Sequence, residues 1–189
     1  FDDKDGDGVL DAGEALGSTS VTSSGSWSVS VENLAAGTHS IKAIQTDDFG
    51  RTSTTSTALS VTVDTTADAA PTTAPDLATA SDSAGAGTAG TTTDNLTNVT
   101  KPTFTGTAIA GEQVNIYIDG ADTPAGQVVA SSTGAWTWTA TTALADGEHT
   151  ISVTQTDKAG NESTPSAELT VVIDTTEAKP ITPDLDTSS

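Results

Sequence analysis

The chain has 189 residues and a formal net charge of −20, with 26 acidic side chains against 6 basic ones. That balance excludes nucleic acid as a partner and leaves no basic surface for an anionic membrane, while it suits a protein that binds cations. The absence of Cys removes disulfides, thiolate chemistry and soft zinc sites, and no apolar run is long enough to enter a membrane.

Thr and Val favour strands, and Gly, Asp and Ser favour the turns between them, so the composition is all-β. There is no Met, and the chain reads as a fragment of a longer protein. Its first element is an acidic loop, DKDGDGVLDAGE, from Asp3 to Glu14. The spacing matches the twelve-residue calcium loop of an EF-hand. Asp3, Asp5 and Asp7 stand at positions 1, 3 and 5, and Gly8 at the sharp turn. Val9 offers its backbone carbonyl, and Leu10 is the apolar residue expected to anchor the loop. Asp11 binds directly or through water, and Glu14 binds with both oxygens. Calcium (Ca2+) wants six to eight hard oxygens, which this set supplies; magnesium fits worse, because a bidentate Glu opens the cage. A metal-free acidic turn would suffer strong like-charge repulsion. Dockerins use such loops in pairs between helices, whereas this loop is single and flanked by apparent strands, Phe1 before it and Ala15–Val21 after it. It therefore reads as an insertion in a β-hairpin.

Beyond the loop the chain repeats itself. SGSWSVSV at 24–31 returns as TGAWTWTA at 133–140, and GTHSIKAIQTDDFGRTST at 37–54 as GEHTISVTQTDKAGNEST at 147–164. ALSVTVDTT at 58–66 returns as AELTVVIDTT at 167–176, and the offset from Asp47 to Asp157 and from Asp64 to Asp174 is 110. The unit is thus one small β-domain. Residues 1–66 hold the back part of one repeat, 67–74 a linker, 75–174 a complete repeat, and 175–189 a linker and the start of the next. In the complete repeat, alternation predicts strands near 76–80 and at 103–107, 113–119, 127–131, 135–139, 149–156 and 168–174. Val114, Ile116 and Ile118 share a face, as do Ile151 and Val153, and Leu169, Val171 and Ile173. Seven short strands in about a hundred residues indicate an immunoglobulin-like β-sandwich. The fold class is all-β, a tandem of such sandwiches with the first incomplete.

PTFTGTAIAGEQVNIYIDG, GAWTWTATTALADGEHTISVTQTDKAGNES and the closing VVIDTT resemble the bacterial Ig-like repeats of very large surface adhesins, including the repeats-in-toxin adhesins exported by type I secretion. The resemblance implies extender modules, often calcium-bound, outside the cell. It also implies a second calcium site in the long segment 81–98, which carries Asp82, Asp94 and Asn95. Asp76 at the domain entrance, and Asp64 and Asp174 at the exits, could bridge neighbours in a linker calcium site. All six residues are equally natural turn formers, since Asp and Asn readily bond their own backbone. DDFG at 47–50 and DKAGN at 157–161 are best explained as turns.

His39 and His149 recur at strand starts, which points to structure rather than catalysis, and Trp27 and Trp136 read as packing residues. No nucleophile elbow, phosphate loop or zinc motif is present, so an enzyme is not expected. The favoured reading is a calcium-stiffened extender of a bacterial adhesin, supporting adhesion or biofilm formation, whose partners are neighbouring repeats of its own chain. One alternative is a glycan- or host-ligand-binding module with a platform of Tyr117, Trp136 and Trp138; another is the subunit of a self-assembling fibre made of other copies.

Overall fold

A computed structural model of the chain describes residues 1–82 and 93–176. Residues 83–92, inside the long acidic segment, and 177–189, where the repeat register begins a further copy, lie outside the described residues. The chain divides into two compact units, Phe1–Thr66 and Ala67–Ser189.

The first unit has two strands among its residues, β1 (Gly37–Ile41) and β2 (Leu59–Val63), paired antiparallel with His39 opposite Val61. Phe1–Asp3 run antiparallel to Ser40–Lys42: Phe1 and Lys42 exchange N–H···O=C bonds at 2.8 and 2.9 Å, and Asp3 N donates to Ser40 O at 2.9 Å. Ala15–Val21, expected as a strand, is not one, and neither is Ser24–Val31. The reason is the lack of a partner. Strand geometry is held by backbone bonds to a neighbour, and residues 1–66 contain no counterparts of the strands these segments would pair with. The side chains still keep their places. Gly17 lies against Val29, as Gly126 lies against Trp138 in the second unit.

In the second unit, β3 (Asp76–Leu77), β5 (Thr103–Thr107) and β8 (Ala135–Thr139) form a three-stranded sheet in the order β3-β5-β8. The other sheet runs β4-β10-β9-β6-β7, from β4 (Leu96–Thr97), β10 (Leu169–Ile173), β9 (Gly147–Thr156), β6 (Gln113–Ile118) and β7 (Gly126–Val129). Strand β4, which adds one to the expected seven, is two residues long and parallel to β10, so it left no alternation to read. Between the sheets lies one core. Leu77, Phe104 and Trp136 come from the smaller sheet, and Val114, Ile116, Ile151, Val153, Leu169, Val171 and Ile173 from the larger. This is a β-sandwich, and each expected apolar face points inward, with Ile118 partly buried at its edge.

Two tryptophans are seated on glycines. Trp136 is 4% exposed and covers Gly106, where a Cβ would meet its ring at 2.6 Å. Trp138 stacks on Phe104 with ring centroids 6.3 Å apart and covers Gly126, where a Cβ would meet Nε1 at 2.2 Å. Neither ring is free to form a flat sugar-binding platform. Trp27, the counterpart of Trp136, is 57% exposed because the first unit has no strand to lie over it. Gly126→Ala should therefore destabilise the second unit by ~1–3 kcal/mol, the usual cost of overpacking. In a Trp138→Ala background the same substitution should be close to neutral. Urea unfolding of both pairs checks this.

Candidate functional site

The acidic loop leaves the sheet at Asp3 and returns at Glu14. Two bonds fix its base: Asp2 N donates to Glu14 O, and Asp3 N to Ser40 O, both at 2.9 Å. Within it, each carboxylate organises the backbone ahead of it. Asp3 Oδ1 accepts from Gly8 N, Asp5 Oδ1 from Asp7 N, and Asp7 Oδ1 from Val9 N. Gly6, Gly8 and Gly13 have φ of 81°, 78° and 89°, a region that favours glycine. The outcome is that one oxygen from each of Asp3, Asp5 and Asp7 lies within 4.8 Å of the others. Two calcium–oxygen bonds of about 2.3–2.6 Å span that separation.

Asp11 and Glu14, also expected as ligands, are not part of this group. Glu14 is buried, and its two oxygens accept from Lys4 N at 2.8 Å and Asp11 N at 3.0 Å. A carboxylate oxygen has a second lone pair, so these bonds orient Glu14 without using up its ligating capacity. Asp11 feels the crowding: Asp7 foremost, then burial, Asp5, Glu14 and Asp3, push its carboxyl above the usual range. Val9 is exposed, and its N–H is tied to Asp7 at 2.7 Å. Leu10 does not anchor the loop; it is 40% exposed. Charge does the anchoring instead. Lys42 Nζ sits 2.5 Å from Asp3 Oδ2 and holds that carboxyl below its usual range. Sequence reasoning missed Lys42, because only the antiparallel register of Phe1–Asp3 against Ser40–Lys42 brings it there.

At the loop's foot is a latch that appears in both units. His39 Nδ1 meets Asp2 Oδ2 at 2.6 Å, His39 Nε2 meets Ala35 O at 2.8 Å, and Ser40 N donates to Asp2 Oδ1. In the second unit His149 Nδ1 meets Asp119 Oδ2 at 2.8 Å, Nε2 meets Ala145 O at 3.0 Å, and Thr150 N donates to Asp119 Oδ1. Both ring nitrogens face acceptors, so both donate, and the geometry favours the imidazolium. The equivalence of Asp2 with Asp119 places the acidic loop where the second unit has the short connection from β6 to β7.

Asp82 is 3% exposed, and among the described residues its Oδ1 has no hydrogen-bond partner. Burial raises its pKa, the charges of Asp94 and Asp76 add to the rise, and a bond from the Asn95 backbone N–H opposes it. Asp82 thus lies near Asp94 and the Asn95 backbone, but among the described residues only Asp3, Asp5 and Asp7 bring three acidic oxygens together. Asp94 Oδ1 also accepts from Leu96 N. Asp64 and Asp174 each cap the turn ahead of them, bonding Thr66 N and Thr176 N at 3.0 Å. Asp47 and Asp157 close turns as expected. Asp157 bonds the Ala159 and Asn161 N–H groups and the Asn161 side chain, while Arg51 takes the place of that Asn in the first unit.

A family model for the bacterial Ig-like domain matches residues 2–65 and, separately, 69–175. The chain belongs to the bacterial Ig-like family. No curated protein matches it. Solved structures similar to these bacterial Ig-like repeats include the fibronectin(III)-like modules of CbhA from Clostridium thermocellum, 21% identical with a TM-score of 0.38, over 74% of this chain and 64% of that one. A tetra-tandem repeat from the extending region of a large adhesion protein is 20% identical with a TM-score of 0.40, over 84% and 38% of the two chains. The BSP domain of a biofilm-associated protein is 18% identical with a TM-score of 0.35, over 87% and 24%. In all three the match spans less than two thirds of the other chain.

The bacterial Ig-like latch makes stability depend on pH. Burial pulls the His149 pKa down from 6.5, but the Asp119 bond and the Ala145 carbonyl outweigh it and raise it overall. A raised folded-state pKa means that the latch's contribution is complete below about pH 6.5 and is lost as pH rises through the folded value. Glu112, pushed up to about 7 by burial and by Asp68, titrates in the same window with the same sign. The His149 part is therefore read by difference. In chelator, the fall in the second unit's melting temperature from pH 6 to 9 should be smaller in His149→Gln than in the parent, with the two converging at high pH.

Proposed function

We propose that this chain is an extender segment of a bacterial cell-surface adhesin, in which calcium clamps the acidic loops of tandem Ig-like units. The observation that carries the reading is the convergence of Asp3, Asp5 and Asp7 oxygens on a loop whose base is bonded into the sheet. Membership of a non-catalytic domain class supports a structural role, and the two successive family matches support neighbouring repeats as the immediate partners. The net charge of −20 keeps such a chain soluble and self-repelling. Among the described residues no helix is long and apolar enough to cross a membrane.

The mechanism follows from charge and entropy. Without an ion, the carboxylates of the loop repel one another and the loop samples many conformations. A calcium ion cancels two charges and fixes the loop, so its binding free energy is folding free energy. Sites in extracellular modules bind at 10⁻⁴ to 10⁻³ M, which suits filling outside the cell and emptiness inside it. The chain would then be soft during export and stiff after it. The glycan-binding alternative gains no support, because Trp136 is in the core and Trp138 lies against Gly126.

Calorimetry in 1 mM calcium and in chelator tests this. Calcium should raise the first unit's melting temperature by roughly 5–10 °C for a site of about 10⁻⁴ M. Asp3→Ala combined with Glu14→Ala should remove that rise; it also lowers the transition in chelator, because the Lys42 pair and the backbone bonds to Glu14 are lost, so the readout is the difference between calcium and chelator. An identical melting profile with and without calcium would reduce the loop to an acidic turn.

A further inference from the structure

We propose that the free edge of β8 is a self-association surface, at which the second unit pairs antiparallel with the same edge of a second copy of this chain. The contact goes beyond the calcium clamp and uses neither an ion nor the acidic loop.

Backbone register decides which groups this edge offers. Ala108 N donates to Gly134 O and Ala140 N to Pro102 O, both at 2.9 Å, and Gly106 stands opposite Trp136. Bonded pairs alternate along an antiparallel ladder. Trp136 and Trp138 therefore turn their N–H and C=O groups to β5, while Thr137 and Thr139 turn theirs away from it. Ala135 also faces outward, and its C=O accepts from Ser131 N at 2.8 Å. Among the described residues β8 has no strand on that side. The other edges of the unit are poor templates. Strands β3 and β4 are two residues long. Strand β7 is bulged at its start, because Ala125 N bonds Ile116 O where Gly126 already stands opposite Ile116. A bulge twists an edge away from a would-be partner. Among the described edges only β8 is five residues long, regular, uncharged and free of Pro.

Charge names the occupant. The chain carries −20 and repels its own copies, yet no charged residue occurs from Thr123 to Ala145. The neighbouring strand, Thr103–Thr107, is uncharged as well. A basic partner would be drawn to the carboxylates elsewhere, whereas a second copy can approach here without setting like charges together. The edge is also self-complementary. A two-fold axis through Thr137 sets Thr137 against its own copy and Thr139 against the second copy's Ala135, so outward donors meet outward acceptors. Facing threonines make a favourable cross-strand pair. Trp138, only partly buried within the unit, gains cover from the added strand. One short edge binds weakly, and contacts repeated along a tandem chain add by avidity.

Sedimentation velocity of the full chain in chelator, at rising protein concentration and at about 50 and about 500 mM salt, reads the association. The sedimentation coefficient should rise with concentration, and more steeply at high salt, which screens the repulsion between copies. Thr137→Pro removes an outward N–H without touching a bond to β5, and should weaken association at least about tenfold. Thr137→Lys should do the same, and covers the case in which the proline ring disturbs the strand. Thr105→Lys makes the same charge change one strand in from the edge, and should leave association as it is or strengthen it. Ser28→Lys, at the equivalent position of the first unit, should also leave it intact. Amide exchange locates the contact: Thr137 and Thr139 should exchange more slowly at high concentration, with Trp136 and Trp138 slow throughout. A monomer at every concentration and salt would overturn the proposal. So would association unchanged in both Thr137 variants, or protection gathered on another face. The same series in calcium should give the same pattern, so this contact and the calcium clamp fail separately.

Discussion

The pairing of β6 with β9 is the interaction on which the second unit depends. It joins Gln113–Ile118 to Ile151–Thr156 through six successive residue pairs. One face of that ribbon presents Val114, Ile116, Ile151 and Val153 to the core. The other presents Asn115, Tyr117 and Thr154, which all donate to the single carboxylate of Glu162. At one end of the ribbon, Asp119 reaches His149; at the other, Gln155 grips the lead-in segment. In the first unit all that the residues retain of this pairing is Phe1–Asp3 against Ser40–Lys42, and that remnant carries the acidic loop. The candidate metal centre is thus an outgrowth of the fold's central contact rather than an ornament on its surface.

Much of the second unit was legible from residue order. Alternation located β5 and β8 to the residue, and the apolar sets on β6, β9 and β10 all face the core. What escaped was non-local. Strand β4 exists because Val172 N bonds Asn95 O across the sheet, a contact no short window contains. Ala15–Val21 has strand composition and no partner, and composition alone cannot form a ladder. The convergence of Asp3, Asp5 and Asp7 was readable because those residues are near neighbours in the chain. Ala69 and Ile109 lie far apart in the chain, and Gln155, a residue of no motif, bonds to both.

With 26 acids and 6 bases, most carboxylates must be managed without a basic side chain. Three solutions are visible. Asp64, Asp157 and Asp174 take backbone N–H groups at turns. Asp2, Asp3, Asp47 and Asp119 take one of the few cationic partners. Among the described residues, Asp82 and Glu112 keep a buried oxygen with neither. The last class is small, and it coincides with places where other carboxylates crowd in.

The Asp–His latch recurs in both units although the connections it frames differ in length. Asp2 to Gly17 is eight residues longer than Asp119 to Gly126, yet the same Asp–His bond holds the start of each. Lengthening a closed loop adds little entropy, about 0.6 kcal/mol per doubling. The hairpin after β6 therefore works as a cassette slot. Gene fragments of quite different content can be spliced there, and the sandwich beneath will not register the change. Diversity among such repeats is free to accumulate at this one address while the sandwich of each unit keeps its pairing.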